Sequence, residues 1–183
     1  MKKILFIVGS NRKQSFNRQL ALSIMETIGS KAETSILRYS DLPMLCQDEE
    51  FPAPDAIARI REIVSNADGI WFVTPEYNGS YPALLKNLID WLSRPVVAND
   101  YATPTAIRNK KAIISGVAGK SAAIHSRKKL AELLKFTGVQ LYDEEGCGLA
   151  LDGNAFSTDA LVLSDETRDA LKIRVDAFLK FLD

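Results

Sequence analysis

The sequence predicts a three-layer α/β fold, in which one parallel sheet of five strands in the order 2-1-3-4-5 carries helices on both faces. Three observations support that prediction. Short apolar runs alternate along the chain with segments of helical periodicity, as in parallel strands joined by crossover helices. The apolar runs are continuous rather than alternating, which fits strands covered on both faces. The chain has 183 residues, 46% of them hydrophobic, enough for one domain (residues 1–183) with a substantial core. The dinucleotide-binding strand order is the alternative, and periodicity does not separate the two.

The elements follow in order. Lys3 to Val8 is a buried strand that ends at Gly9. Phe16, Leu20, Ile24 and Ile28 form a helical stripe. Thr34 to Tyr39 reads as the second strand, and Asp41 to Pro54 as a proline-containing loop. Ile57, Ile60, Val64 and Ala67 mark a second helix, broken by Asp68-Gly69. Ile70 to Val73 is the third strand, stopped by Thr74-Pro75. The next helix starts near Pro82, carries Leu85, Leu88, Ile89 and Leu92, and ends before Pro95. Val96 to Lys110 is a connector, and Ala112 to Ile114 is the fourth strand. A helix from Ser121 to Thr137 stops at Gly138, and Val139 to Tyr142 is the fifth strand. Ser164 caps a last helix whose buried face holds Leu171, Val175, Phe178 and Leu182.

Composition excludes several function classes. The 23 basic and 23 acidic residues cancel, so no broad field draws the protein to nucleic acid or to an anionic membrane. Two cysteines without a CxxC pattern fit a reducing, cytoplasmic compartment. No apolar run reaches the length of a membrane span, and the run from Ile4 to Val8 is too short for a signal-peptide core. A single histidine, His125, makes a His-based metal cluster or a Ser-His-Asp set hard to assemble. His125 reads as a surface helix residue or as a substrate contact.

In sheets of this kind ligands bind beyond the carboxyl ends of the strands. That rule selects three loops. The first, Gly9 to Asn17, follows a buried strand and opens a helix, whose free N–H groups and positive dipole end favour phosphate. Ser10, Ser15 and Asn17 add hydrogen-bonding side chains, and Arg12 adds a planar cationic fork. A polar turn with Ser15 as helix cap is the competing reading. The second loop, Thr74 to Pro82, is stiffened by two prolines, and Gly79 allows positive φ. It suits the edge of a flat heterocycle, or is an ordinary turn. The third, Ser115 to Lys120, imitates a P-loop in Gly119-Lys120-Ser121, but the required earlier glycine position holds Ile114. A nucleoside-triphosphatase is therefore excluded.

The first two loops together resemble the NADPH-dependent FMN reductase family, a flavodoxin-like group that includes bacterial quinone, chromate and azo-dye reductases. Gly9, Ser10, Arg12, Ser15 and Asn17 match its first motif. Thr74 to Asn78, Ser80, Pro82, Leu85 to Asn87 and Ile89 to Arg94 match its second. The similarity covers Lys3 to about Tyr142, and nothing in it assigns a role to residues 143–164. The resemblance implies that Ser10, Arg12, Ser15 and Asn17, with the Phe16 amide, hold the phosphate of FMN. It further implies that Pro75, Glu76, Tyr77, Asn78 and Gly79 line the isoalloxazine, and that Ser115 and Gly116 close the remaining side. Ser115-Gly116-Val117-Ala118-Gly119 departs from the family's usual third loop.

By the same resemblance, NADPH or NADH supplies a hydride, FMN passes two electrons to a small-molecule acceptor, and the protein is a homodimer or homotetramer. The redox chemistry then belongs to the cofactor, and no catalytic side chain is required. Trp91 and Tyr81 are candidates for the subunit interface, with the core as the alternative for Trp91. Lys120, Arg127, Lys128 and Lys129 read as a solvated basic face or as a holder of dinucleotide phosphate. A flavodoxin-type one-electron carrier and a flavin-binding redox-regulatory module are the rival functions. Arg12 and the zero net charge argue against the carrier.

Overall fold

In the computed structural model, which describes all residues from 1 to 183, β1 (Lys3–Val8), β2 (Glu33–Ile36), β3 (Gly69–Thr74), β4 (Lys111–Ala118) and β5 (Gln140–Leu141) form a parallel sheet. Its order is β2-β1-β3-β4-β5. The helices are α1 (Phe16–Ile28), α2 (Asp55–Ser65), α3 (Ala83–Leu92), α4 (Ile124–Phe136), the short α5 (Ala155–Thr158) and α6 (Asp165–Leu182).

Strand periodicity sorts the core into two layers. Leu5 and Ile7 of β1, with Ile70 and Phe72 of β3, face α2, α3 and α4. Ile4, Phe6 and Val8, with Trp71 and Val73, face α1 and α6. All these strand residues are buried, which is why both runs read as continuous rather than alternating. Trp71 stacks on Phe6 with 5.6 Å between ring centroids and meets Phe178 edge-on at 5.3 Å.

The structure differs from the sequence reading on one side of the sheet. A sixth strand, β6 (Cys147–Ala150), lies beside β4 beyond β5. β5 and β6 are one edge strand in two pieces. The pairing offset grows from 29 residues at Lys111–Gln140 to 32 at Ser115–Cys147, so three extra residues bulge out between them. The Asp143 carboxylate closes that bulge by accepting the Gly146 N–H at 2.6 Å. The extra pairing carries β4 through Ala118, well past Ile114. β2 instead ends at Ile36, three residues before Tyr39.

Candidate functional site

The carboxyl ends of β1, β3 and β4 meet at one edge, and the first loop is built there. Ser15 is the N-cap of α1, and its hydroxyl accepts the Arg18 N–H at 3.3 Å. The N–H groups of Phe16 and Asn17 have no acceptor within the chain, as the first turn of a helix leaves them. The Gly9 N–H donates to the Val73 carbonyl, tying the loop to β3. A Cβ on Gly9 would stand 2.7 Å from Leu85 Cδ1, so the close approach of this loop to α3 requires glycine.

Arg12 is oriented from three sides. Its guanidinium pairs with Asp159, donates to the Gln14 carbonyl at 2.6 Å, and lies 5.0 Å from the Phe16 ring centroid. Asp159 belongs to the segment the sequence left unassigned. That segment folds back over the first loop: Phe156 meets Phe16 edge-on at 5.3 Å, and Gln19 bonds both the Asp159 carbonyl and the Leu161 N–H.

Asn17 is only 4% exposed. Its side-chain carbonyl accepts the Val117 N–H at 2.9 Å and its amide donates to the Val117 carbonyl at 3.0 Å. The side chain therefore bolts α1 to β4, and one amide hydrogen remains for a ligand. Tyr39 performs a similar task beside it, donating to the Val8 carbonyl at 2.7 Å. Burial pushes its phenol well above the usual range, so it stays a neutral donor.

The second loop is a tight hairpin. Tyr77 and Ser80 exchange backbone bonds of 2.9 and 3.0 Å across Asn78 and Gly79, whose φ values are 51° and 66°. Two successive positive φ values mark the type I′ geometry that Asn-Gly favours. The hairpin exposes Tyr77 and leaves the Asn78 and Gly79 N–H groups without acceptors.

The half-buried Glu76 turns its carboxylate onto the start of α4. Its Oε2 accepts the N–H groups of His125 at 2.9 Å and Ser126 at 3.1 Å. Burial pushes its carboxyl up, but the hydrogen bonds from Ser126, Ser121 and His125 outweigh that, and the net direction is down. Ser126 completes the clamp: its hydroxyl donates to the Pro75 carbonyl and contacts the Thr74 hydroxyl, both at 2.8 Å. His125 itself is an exposed helix residue.

Ser115 and Gly116 require a correction. Both lie inside β4 rather than in a loop, because β6 extends the ladder there. Ser115 is fully buried, and its hydroxyl accepts the Trp71 indole N–H at 3.0 Å. The chain leaves the sheet only at Gly119, and Ala122 and Ala123 then take positive φ before α4.

The long second motif is largely architectural. Asn87 and Trp91 reach across to the 41–54 loop: Asn87 accepts the Leu45 N–H at 2.9 Å, and both side chains donate to the Pro43 carbonyl. Arg94 pairs with the buried Glu50 through two hydrogen bonds. Trp91 is thus a core residue. The basic cluster on α4 is also divided. Arg127 is buried and donates to the Glu145 carbonyl. Lys128 lines a cavity of about 650 Å³ in which Arg127 and Lys135 also face Glu132, Glu144 and Glu145, so that cations and carboxylates balance.

A helix N-terminus with unclaimed N–H groups, hydroxyls and an arginine has the chemistry that suits a phosphate monoester. The family described as NADPH-dependent FMN reductase matches residues 2–144. The chain belongs to that family. It is an NAD(P)H-dependent FMN oxidoreductase with FMN as cofactor and a small molecule as acceptor. The reductase is 33% identical over 181 residues to a quinone reductase of Pseudomonas putida, covering 98% of this chain and 94% of that one. It is 28% identical to a 2-hydroxy-1,4-benzoquinone reductase of a Burkholderia species, over 96% and 93% of the two chains. Among solved structures, the flavoenzyme NAD(P)H:(acceptor) oxidoreductase FerB of Paracoccus denitrificans superposes with a TM-score of 0.86 at 28% identity, covering 100% of this chain and 97% of its own. No helix of the reductase is long and apolar enough to cross a membrane.

Proposed function

We propose that the reductase holds the FMN phosphate on Ser10, Arg12, Ser15 and the N–H groups of Phe16 and Asn17. The hairpin from Pro75 to Gly79 borders the isoalloxazine through backbone groups, and its acceptor is a quinone. The observation that carries this reading is the pair of unclaimed N–H groups at a serine-capped helix start, with Arg12 held beside them. FMN bound there would supply the two-electron chemistry between a nicotinamide donor and the acceptor. The protein's own residues position and insulate. Asn17 fixes the phosphate loop against β4, Glu76 and Ser126 fix the hairpin against α4, and Asp159 orients Arg12. Ser115 and Gly116 act from behind, by pairing β4 with β3 and β6, with Ser115 also bonded to Trp71.

Exposed Tyr77, Val96, Val97 and Tyr101 give the surface near the hairpin and past α3 an apolar character that supports a homodimer or homotetramer. Two free cysteines support a cytoplasmic setting, and one continuous sheet supports a single domain. Steady-state turnover of the FMN-loaded protein with NADH and NADPH against benzoquinones, azo dyes and ferricyanide tests the function. Quinone turnover with a nicotinamide donor is expected. Nicotinamide oxidation with none of these acceptors would favour a one-electron carrier.

A further inference from the structure

A cavity of about 650 Å³ lies between α2 and the chain that enters β4. Its volume falls within the range of small-molecule sites. α2 contributes Arg61 and Glu62, and the chain entering β4 contributes Arg108 and Lys110. These are its charged residues, and Ala53, Ala58 and Ala106 supply an apolar wall. Three cations therefore face one carboxylate. None of the three makes an ion pair, although the chain as a whole is neutral.

Arg61 is the informative residue. It is only 6% exposed, and a buried charge is ordinarily paired and fully hydrogen-bonded. Here one nitrogen carries all the bonding: Nη2 donates to the Trp91 and Pro95 carbonyls, both at a long 3.3 Å. Nε is buried without an acceptor, and Nη1 makes no hydrogen bond. Holding the end of α3 thus accounts for Nη2 alone. The nearby acids are engaged elsewhere. Glu50 gives both oxygens to Arg94, and Asp68 accepts the Lys3 N–H at 2.7 Å. Lys110 meets only the Ser65 and Ala67 carbonyls, both at 2.7 Å. Burial lowers both Arg61 and Lys110, and the acids opposing that shift, Glu50 and Asp68, do not cancel it. A bound anion would satisfy both cations.

We propose that this cavity binds a small organic dianion, with the two charges of a phosphate ester or a dicarboxylate carried on an apolar body. The charge follows from three cations set against Glu62, and the guanidinium fork suits phosphate and carboxylate alike. The apolar body follows from the alanine wall. The site is separate from the flavin loops. Arg108 and Lys110 precede the amino end of β4, whereas those loops follow the carboxyl ends of the strands, and the eight residues of β4 span roughly 25 Å. The dianion is therefore a ligand additional to FMN, and it binds without displacing it.

Calorimetric titration of the FMN-loaded protein with phenyl phosphate and with phthalate tests this, since FMN keeps phenyl phosphate out of the flavin phosphate site. At least one of the two should bind with a Kd below about 1 mM, and the tighter one tells phosphate ester from dicarboxylate. Inorganic phosphate and neutral phthalamide, each lacking half of the required chemistry, should bind at least about tenfold more weakly. At a hundred times its Kd the bound dianion should raise Tm by about 5–10 °C. Arg61→Lys keeps the charge but loses the fork, and should weaken binding at least about tenfold. Arg108 is exposed, so Arg108→Glu is expected to fold; it should weaken the dianion at least about tenfold and leave the FMN Kd within about twofold. Binding of neither dianion by folded wild type would overturn the proposal. So would equal binding of phthalamide or inorganic phosphate, binding unchanged in both variants, or release of FMN by the dianion.

Discussion

Replacing Asn17 with alanine tests whether the phosphate loop is held from behind by a buried amide. The substitution removes two hydrogen bonds to Val117, of 2.9 and 3.0 Å, from a residue only 4% exposed. Each bond contributes about 1 kcal/mol net, and each backbone group left without a partner costs about 1–3 kcal/mol. Water entering the emptied space offsets part of that penalty. The expected loss is therefore about 3 kcal/mol, or roughly 6–12 °C in Tm for a chain of this size. Urea denaturation of the flavin-free protein, followed by far-UV circular dichroism, measures it. Asn17→Asp sharpens the test, because its carboxylate keeps the acceptor for the Val117 N–H but turns a second oxygen toward the Val117 carbonyl. It should also be destabilised, and it should bind FMN more weakly because of its negative charge. An Asn17→Ala variant within about 0.5 kcal/mol of wild type, the range of ordinary surface substitutions, would refute the clamp.

Other consequences concern the second loop and Arg12. Glu76→Ala should cost about 1 kcal/mol near neutral pH by uncapping α4. Because folding lowers the Glu76 carboxyl, its contribution is present above the ordinary glutamate range and is lost as pH falls through the folded value. The gap between wild type and variant in denaturation midpoint should therefore close in acid; a gap that is constant down to pH 3 would contradict the assignment. Gly79→Ala should destabilise by about 1 kcal/mol from positive φ alone, since nothing lies within 4 Å of the added Cβ; a larger loss would mean the hairpin is crowded. Arg12→Ala should weaken FMN binding by about 1.5 kcal/mol, the low end for a charged hydrogen bond, because Asp159 already engages the guanidinium. Fluorescence titration of FMN reads that change, and unchanged affinity would move the phosphate elsewhere.

Much of this fold is legible in the sequence because its signals are local. Continuous apolar runs at Ile4–Val8 and Ile70–Val73 mark strands buried on both faces, and Phe16 to Ile28 shows a clean helical stripe. β6 is not legible. Cys147-Gly148-Leu149-Ala150 is half-buried and follows a polar bulge, so neither alternation nor a continuous apolar run marks it. Missing β6 also hid the true length of β4, and with it the burial of Ser115 and Gly116. Asn17, Glu76, Asn87 and Trp91 present a different difficulty. Their residue types suit ligand contacts as well as clamps, and only the position of a partner far along the chain decides. Asp159 could not be found at all, since its relation to Arg12 spans 147 residues and no local pattern surrounds it.

The central claim is that the loop from Ser10 to Asn17 is the anchor of an FMN phosphate. Equilibrium binding of FMN and of riboflavin to the flavin-free protein tests it most directly, because the two ligands differ only in that phosphate. FMN should bind at least about a hundredfold more tightly, as two or more charge-assisted contacts imply, and Arg12→Ala should narrow the gap. Equal affinities for FMN and riboflavin would contradict the account.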